Sequence, residues 1–247
     1  MGTSENVVSI CESLRALGYG AVSSKIQDAL AHSLDDPLAV IRLALKDAVT
    51  AEQNAIYKKC FDKSKLKTPV FLHDLLPYKV RQLDLEYIHH LGELNFVRDR
   101  KNLIIWGAPG TGKTWMGKAM ATKACQKGIR TRWVTYPFLC RELLRLKAED
   151  SHKLEVRIKY YSGYDLLCID EFPNYDIEDK FLMQEFFNQT KIAGHSTIVC
   201  GQCSPESWDS LFEVKSFAQS IRGGLLEHAY RLELKGPDLR TYNPDKS

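Results

Sequence analysis

The sequence has no run of about 18 consecutive apolar residues, and its start, MGTSENVVSI, has no basic segment followed by an apolar stretch. These absences predict a chain with neither a membrane-spanning helix nor a secretory signal, which we expect in the cytoplasm. Low-complexity segments and internal repeats are also missing from the 247 residues, of which 44% are hydrophobic and 26% charged. Such a composition is typical of a globular protein and excludes the disordered and collagen-like classes.

Paired metal-ligand motifs are lacking as well. Seven cysteines are spread along the chain, and Cys200 and Cys203 form a C-x-x-C pair. A zinc site requires a second Cys or Cys/His pair at matching spacing, and the sequence has none. We therefore predict reduced, mostly buried thiols rather than a disulfide framework or a zinc site.

The net charge of +3 is small, but the positive charge is concentrated in two segments. Residues 58–67 contain five lysines and one acid, and residues 130–160 contain eight basic and four acidic residues. Each segment therefore carries +4, and the remainder of the chain carries −5. This distribution indicates a polyanionic partner, and two solvated helix surfaces are the alternative interpretation.

Helical signals fill the first sixty residues, where Pro37, preceded by Asp35 or Asp36, marks the start of a helix that runs toward Tyr57. A lysine-rich segment interrupted by prolines follows and is typical of a linker. The predicted organisation is a helical N-terminal domain at residues 1–67, a linker at 68–82 and a second domain at 83–247.

From Leu83 onward, short apolar runs alternate with helical segments, which predicts an α/β domain with a parallel sheet covered by helices. The predicted strands are residues 102–106, 131–135, 165–169, 196–200 and 229–234. Helical segments are predicted between them, near residues 113–127, 136–160 and 178–192. Right-handed crossovers bring the carboxyl ends of all strands to one edge of such a sheet, where ligands bind.

The first predicted strand leads directly into GAPGTGKT, which matches the G-x-x-x-x-G-K-T pattern of a phosphate-binding loop. Its glycines let successive backbone N–H groups turn toward a phosphate, and the following helix directs its positive end at the same point. We predict that Lys113 spans the β- and γ-phosphates of ATP and that the Thr114 hydroxyl binds Mg²⁺. The predicted loop residues are Gly107, Ala108, Pro109, Gly110, Thr111, Gly112, Lys113 and Thr114.

A second apolar strand ends in two adjacent carboxylates, Asp170 and Glu171. In phosphate-loop NTPases a carboxylate at such a strand end holds the Mg²⁺ shell, which is the role we predict for Asp170. Glu171 is predicted to polarise the water that attacks the γ-phosphate in line. The pair therefore indicates hydrolysis of ATP rather than binding alone.

A third strand, STIVCG, is followed by Gln202. In phosphate-loop NTPases with an additional central strand, a polar residue at this position contacts the γ-phosphate and the attacking water. We predict this role for the Gln202 amide.

With these motifs the sequence resembles the IstB/DnaC group of AAA+ ATPases, and more closely the IstB-like helper ATPases of insertion sequences. The resemblance covers residues 80–241. The segments that carry it are LGELNFVRDRKNLIIW at 91–106, GAPGTGKT at 107–114, LLCIDEF at 166–172, STIVCGQ at 196–202 and AYRLELKGPDLR at 229–240.

The resemblance implies an AAA+ P-loop NTPase core with a five-stranded parallel sheet, preceded by a small all-helical domain, that forms homo-oligomers around double-stranded DNA. ATP and Mg²⁺ would bind between subunits, and the N-terminal domain would bind a transposase or a replicative helicase. In this group an additional helical element faces DNA, and the matching stretch here is Tyr136–Tyr160. Its candidate phosphate contacts are Arg141, Arg145, Lys147, Lys153, Arg157 and Lys159.

The sequence departs from the family pattern at three places, one of which is Gln202, where relatives have the shorter Asn. Relatives carry Asp-Arg-Leu before the last strand, with the arginine reaching a neighbour's γ-phosphate, whereas this chain has Gly223-Gly224-Leu225, and the nearest arginine is Arg222. Arg222 is therefore the predicted trans arginine, and Arg231 and Arg240 are the next candidates. Near the C-terminus, Pro237-Asp238 replaces the usual polar pair ahead of Arg240.

Several functions stay open on the sequence. The helical N-terminus suits a transposase helper and a replicative helicase loader alike. A metabolite kinase shares the phosphate loop, but the carboxylate of Glu171 next to Asp170 favours water as the phosphoryl acceptor. A DNA scaffold that binds ATP without hydrolysing it would be consistent with Gly224.

Overall fold

The computed structural model describes residues 2–32, 37–74, 83–173, 180–208 and 215–241. It divides into two compact units, Met1–Ile56 and Tyr57–Ser247. This division falls before residue 67, because the residues that follow Ile56 pack into the second unit. Leu66 and Val70 are buried there, and the Val70 N–H donates to Thr122 Oγ1 at 3.2 Å.

The N-terminal helices are α1 (Gly2–Ala16), α2 (Gly20–His32) and α3 (Pro37–Ser64). Helix α3 continues beyond the predicted end near Tyr57, through most of the lysine-rich segment. The predicted capping residues Asp35 and Asp36 lie outside the described residues. The core of the first unit is small and consists of Cys11, Val22, Ile26, Ile41 and Ala44.

The second unit contains a five-stranded, all-parallel sheet in the order β2-β3-β4-β1-β5. The strands are β1 (Leu103–Gly107), β2 (Thr131–Thr135), β3 (Leu166–Asp170), β4 (Ser196–Gly201) and β5 (Tyr230–Leu234). Each lies within one residue of its predicted position. The sheet confirms the predicted α/β class, with helices preceding it.

Helices cover both faces of this sheet. They are α4 (Leu85–Gly92), α5 (Asn95–Arg98), α6 (Lys113–Gln126), α7 (Tyr136–Glu149), α8 (Ser151–Ser162), α9 (Lys180–Ala193) and α10 (Lys215–Leu225), with 3₁₀ turns at Leu72–Asp74 and Pro205–Ser207. Residues of α4 and α6 pack on one face of the strands, and residues of α7, α8, α9 and α10 pack on the other. The sheet therefore lies between two apolar layers, as parallel sheets generally do.

The helical segment predicted near residues 136–160 is confirmed as helical, and it consists of two helices that meet at Asp150. Asp150 has an extended backbone with φ −165°, and its carboxylate accepts hydrogen bonds from the N–H groups of His152 at 2.8 Å and Lys153 at 3.2 Å. A side chain that satisfies the free N–H groups of the next turn starts a new helix at that point.

The order of the strands positions the functional side chains. Strand β1 lies between β4 and β5, and β4 lies between β1 and β3. All five strands run in the same direction, so the carboxyl ends of β1, β4 and β3 are neighbours. Residues that follow these three strands therefore meet at one edge of the sheet.

Candidate functional site

The loop between β1 and α6 has the conformation of a phosphate-binding loop. Gly110 and Gly112 have φ angles of 78° and 91°, in a region that favours glycine. Within the loop, Thr111 Oγ1 donates to the Ala108 carbonyl at 2.8 Å. Helix α6 begins at Lys113, so its unpaired N–H groups and its positive end face the loop. All eight predicted loop residues lie on this strand–loop–helix turn.

Lys113 is half-buried beside this loop, and its ammonium donates a hydrogen bond to the Ala108 carbonyl at 2.7 Å. Burial lowers the pKa of Lys113, while the nearby Cys200 and Asp170 raise it. A partly desolvated cation held across a loop of backbone donors fits the charge of a polyphosphate. The loop and Lys113 together therefore fit ATP.

Thr114 and Asp170 lie within hydrogen-bond distance although 56 residues separate them. The Thr114 hydroxyl donates to Asp170 Oδ2 at 2.9 Å and to Oδ1 at 3.2 Å. Asp170 ends β3 and is only 6% exposed, and its burial raises the pKa of the carboxyl. A hydroxyl and a carboxylate are the oxygen ligands that Mg²⁺ uses beside nucleotide phosphates, so the pair fits that ion.

Glu171 follows directly and has a left-handed backbone with φ 61°. This conformation is uncommon for a residue other than glycine and is often found at functional sites. The Glu171 N–H donates to Asp170 Oδ1 at 3.0 Å, and its side chain is exposed. The backbone thus directs this carboxylate toward solvent at the edge where the loop lies.

Phe172 anchors the Glu171 turn and was not singled out in the sequence. Its N–H donates to the Cys200 carbonyl at 2.9 Å, and its ring packs edge-on against Tyr136 and Trp208 at centroid distances of 4.8 and 5.0 Å. In the sequence, this anchoring role is indicated by an apolar residue directly after two carboxylates. Its role is to fix the turn that presents Glu171.

Gln202 is exposed and follows β4, whose register pairs Gly201 with Trp106, one residue before the loop begins. Since β4 also pairs with β3, Gln202 lies between the loop and the end of the strand that carries Asp170. The structure therefore brings Lys113, Thr114, Asp170, Glu171 and Gln202 to one edge of the sheet.

Arg222 lies away from this edge. It is exposed in the last turn of α10, where Asn102 Nδ2 donates to the carbonyls of Gly224 and Leu225 at 3.1 Å each. Asn102 precedes β1, so this turn lies at the amino edge of the sheet. A five-residue strand spans about 16 Å, which exceeds the reach of an arginine side chain. Arg222 therefore does not serve the phosphate loop of its own subunit.

The other two candidate arginines differ in position. Arg231 on β5 is exposed and pairs with Glu206 at 2.8 Å. Arg240 follows β5, and the N–H of the preceding Leu239 donates to the Gly110 carbonyl at 3.0 Å. Arg240 is therefore near the phosphate loop of its own subunit rather than at the opposite edge.

Most of the basic residues predicted to contact DNA on α7 and α8 are already paired with acids. The pairs are Arg145–Glu149 at 2.8 Å, Lys153–Asp150 at 4.0 Å, Arg157–Glu142 at 3.5 Å and Lys159–Glu155 at 2.6 Å. Arg141 and Lys147 are exposed on α7. Much of the positive charge of this segment is therefore balanced locally.

The lysines near the end of α3 differ from the basic residues of α7 and α8 in how their charge is balanced. All five are exposed, and none of them forms an ion pair with a carboxylate in the described ranges. They are Lys58, Lys59, Lys63, Lys65 and Lys67. Their charge is therefore available to a polyanion.

Arg132 joins the two basic segments, which the sequence left separate. This residue of β2, an edge strand, is 8% exposed. Its guanidinium lies 5.5 Å from the Tyr160 ring centroid and 5.8 Å from that of Tyr161, and Nη1 donates to the Lys63 carbonyl at 3.5 Å. The end of α3 and helix α8 are therefore adjacent, and we call the lysines of residues 58–67 with Arg132 and Arg157 the basic surface.

Within the ranges that the structure describes, no helix is both long and apolar enough to cross a membrane. The same residues contain no group of three or more His, Cys, Asp or Glu side chains that could hold a metal ion. The seven cysteines are free thiols.

Comparison with known sequences places this site in a family. The model of the family described as IstB-like ATP binding protein matches residues 25–247. An ATP-binding protein of insertion sequence IS232 from Bacillus thuringiensis subsp. berliner is 26% identical over 241 residues, which cover 92% of this chain and 92% of that protein.

Solved structures show the same fold. The DnaC helicase loader superposes with a TM-score of 0.51 and 18% identity, covering 72% of this chain and 99% of that chain. AMPPCP-bound DnaA from Aquifex aeolicus superposes with a TM-score of 0.56 and 17% identity, covering 71% of this chain and 53% of that chain. At these identities the likeness establishes the AAA+ fold.

Proposed function

The chain belongs to the family of IstB-like ATP-binding proteins, and from that premise we propose that it is an ATPase that assembles on double-stranded DNA and recruits or activates a partner transposase. The observation that carries the proposal is the contact of Thr114 with Asp170 beside the phosphate loop, with Glu171 as the next residue. This set contains a phosphate cradle, oxygen ligands for Mg²⁺ and an exposed carboxylate for water.

Each residue of the site has a separate role in the proposed hydrolysis. Bound ATP with Mg²⁺ supplies the γ-phosphoryl group. The loop N–H groups and Lys113 hold the phosphates, and Thr114 and Asp170 hold the metal ion. Glu171 accepts the proton of the attacking water on its carboxylate, and the Gln202 amide orients that water. In such reactions positioning and electrostatic stabilisation provide most of the rate.

A subunit interface completes the site in this proposal. Arg222 lies at the sheet edge opposite its own phosphate loop, so it can serve only the nucleotide of another copy. In an assembly that stacks the amino edge of one sheet on the carboxyl edge of the next, Arg222 would reach the neighbour's γ-phosphate.

We expect Arg222→Ala to lower the turnover of the assembled protein by about tenfold or more while leaving ATP affinity unchanged at concentrations where the protein is dilute and unassembled. Arg15→Ala on α1, which removes an exposed arginine that donates to Gln27 Oε1, serves as the matched control. Steady-state phosphate release at several protein concentrations measures the effect. Equal turnover of parent and Arg222→Ala at all concentrations would exclude Arg222 as the trans arginine.

Duplex DNA binding is supported by the basic surface. A surface of unpaired lysines next to Arg132 and Arg157 offers positive charge to DNA phosphates, and contacts to phosphates position a protein on the duplex without reading its sequence. ATP-dependent assembly would repeat this surface along the duplex. We therefore propose binding that ATP promotes and that tolerates any sequence.

Two triple variants separate the lysines of this surface from the basic residues of α7 and α8. Replacing Lys59, Lys63 and Lys67 by Ala should weaken DNA binding more than replacing Arg145, Arg157 and Lys159, because the second set must first leave its carboxylate partners. Each lost phosphate contact should reduce the slope of log affinity against log salt by about 0.9.

Fluorescence anisotropy of a labelled duplex across a salt series, with an ATP analogue present, measures both quantities. As a control, Lys101, Lys191 and Lys235 are replaced by Ala. This variant loses the same number of positive charges as each test variant, but away from the basic surface. Unchanged DNA binding in both test variants would remove the basic surface from the proposal.

The partner site is proposed on the N-terminal helices. Val8, Leu17, Leu43 and Val49 expose 52%, 72%, 62% and 52% of their surface, which is a large apolar exposure for one small unit. We propose that a transposase covers these side chains. Co-purification with a transposase supports this assignment, whereas co-purification with a replicative helicase would assign the chain to the loaders.

A further inference from the structure

The segment that follows β5, residues 235–241, runs against the phosphate loop. The Leu239 N–H donates to the Gly110 carbonyl at 3.0 Å, which fixes the segment to the middle of the loop. Asp238 and Arg240 flank Leu239 and therefore lie on the loop as well. This contact joins the C-terminal part of the chain to the nucleotide site of the same subunit.

The Asp238 carboxylate packs directly on Gly110. A Cβ atom built on Gly110 would overlap both Asp238 carboxylate oxygens, so only glycine leaves room for this approach. A carboxylate is an unusual neighbour for a loop whose N–H groups and lysine bind phosphates. A negative charge at this position opposes the approach of a polyanion.

Arg240 balances that carboxylate in the structure. Its Nε donates to Asp238 Oδ1 at 2.9 Å and to Oδ2 at 3.1 Å, its Nη2 donates to Oδ2, and its backbone N–H donates to Oδ1 at 3.0 Å. This pairing lowers the pKa of Asp238 to about 2, so the carboxylate is ionised at neutral pH. The Arg240 charge also contributes to the lowered pKa of Lys113, for which burial is the larger cause.

We propose that Asp238 and Arg240 form a charge pair that tunes the phosphate loop for nucleoside triphosphates, in which Asp238 weakens phosphate binding and Arg240 strengthens it in the same subunit. A guanidinium binds a carboxylate and a phosphate with the same planar arrangement of N–H donors, so Arg240 can exchange one acceptor for the other. Arg240 is 69% exposed on its side chain, which leaves it free to turn.

The inference rests on ATP binding and predicts opposite effects for two neighbouring residues. Asp238→Asn removes one negative charge, keeps an oxygen for the Arg240 N–H and releases the guanidinium. It should bind a non-hydrolysable ATP analogue about tenfold more tightly than the parent, with a smaller gain for ADP, because the diphosphate carries less charge. Arg240→Ala should weaken binding of the analogue by a similar factor.

The double variant separates the two contributions. If the carboxylate acts by its own charge, Asp238→Asn still increases affinity when Arg240 is already Ala. If it acts only by holding Arg240, the double variant matches Arg240→Ala, which would overturn the claim that Asp238 itself opposes phosphate.

Asp165→Asn is the matched control. Asp165 accepts the same set of bonds from Arg130, its backbone N–H at 3.2 Å, Nε at 3.0 Å and Nη2 at 2.8 Å, but it precedes β3 at the amino edge of the sheet. Asp165→Asn should leave nucleotide affinity unchanged. Titration calorimetry measures the affinities, and thermal unfolding without nucleotide verifies that each variant folds.

Two failures can be distinguished. A parent protein that binds no nucleotide contradicts ATP binding itself. A parent that binds ATP, together with an Asp238→Asn variant of equal or lower affinity, overturns the charge pair and leaves the proposed ATPase function intact.

Discussion

Replacing Glu171 by Gln is expected to reduce ATP hydrolysis by about 10²- to 10⁴-fold, which is the contribution of a positioned general base. The amide has the same shape but cannot accept the proton of the attacking water. The Glu171 side chain is exposed, so the variant should fold as the parent does. ATP binding should persist, because Lys113, Thr114 and Asp170 remain in place.

The variant should therefore accumulate ATP-bound assemblies that do not turn over. Single-turnover hydrolysis gives the rate, and size-exclusion chromatography with light scattering gives the assembly state in ATP. Glu233→Gln on β5, which removes the partner of Lys235, is the matched control. Parent-like hydrolysis in Glu171→Gln would show that another group activates the water.

Replacing Lys113 by Ala is expected to weaken ATP binding by at least about 100-fold, since charge-assisted contacts to phosphate are among the strongest single interactions in such sites. The variant should be as stable as the parent without nucleotide, because it removes a partly buried ammonium group. Burial already lowers the pKa of that group. Binding and hydrolysis should fall together, unlike the outcome for Glu171→Gln.

Ligand-dependent stability provides an independent measurement. A ligand at 100 times its Kd stabilises a protein by about 2.7 kcal/mol, which raises the parent's unfolding temperature in ATP. At the same ATP concentration this stabilisation should fall to about 0.4 kcal/mol or less in Lys113→Ala and persist in Lys123→Ala, a lysine in the last turn of the same helix. If ATP raises the unfolding temperature of Lys113→Ala as much as that of the parent, ATP binding does not depend on this cation.

Together the two variants separate hydrolysis from binding. A scaffold that binds ATP without hydrolysing it would show the effect of Lys113→Ala but no difference between the parent and Glu171→Gln. A metabolite kinase would need an acceptor other than water, and phosphate release without added acceptor would exclude that class.

The sequence by itself determined the five strands, the α/β class, and the loop at residues 107–114. These features are local, because the periodicity of apolar residues and the chemistry of a few turn residues specify them within short windows. The strand ends at Asp170 and Gln202 could be assigned to one edge without any coordinates, since parallel strands joined by right-handed crossovers present their carboxyl ends together. The break at Asp150 was local too, but its capping role was missed.

Only the tertiary structure decided which distant residues are neighbours. The strand order places β5 beside β1, and this brings Asp238 and Arg240 onto Gly110. Arg132 brings the end of α3 to helix α8, and Asn102 holds the Arg222 turn at the amino edge. Such contacts arise from the packing of elements far apart in the chain, which no local pattern of residues encodes.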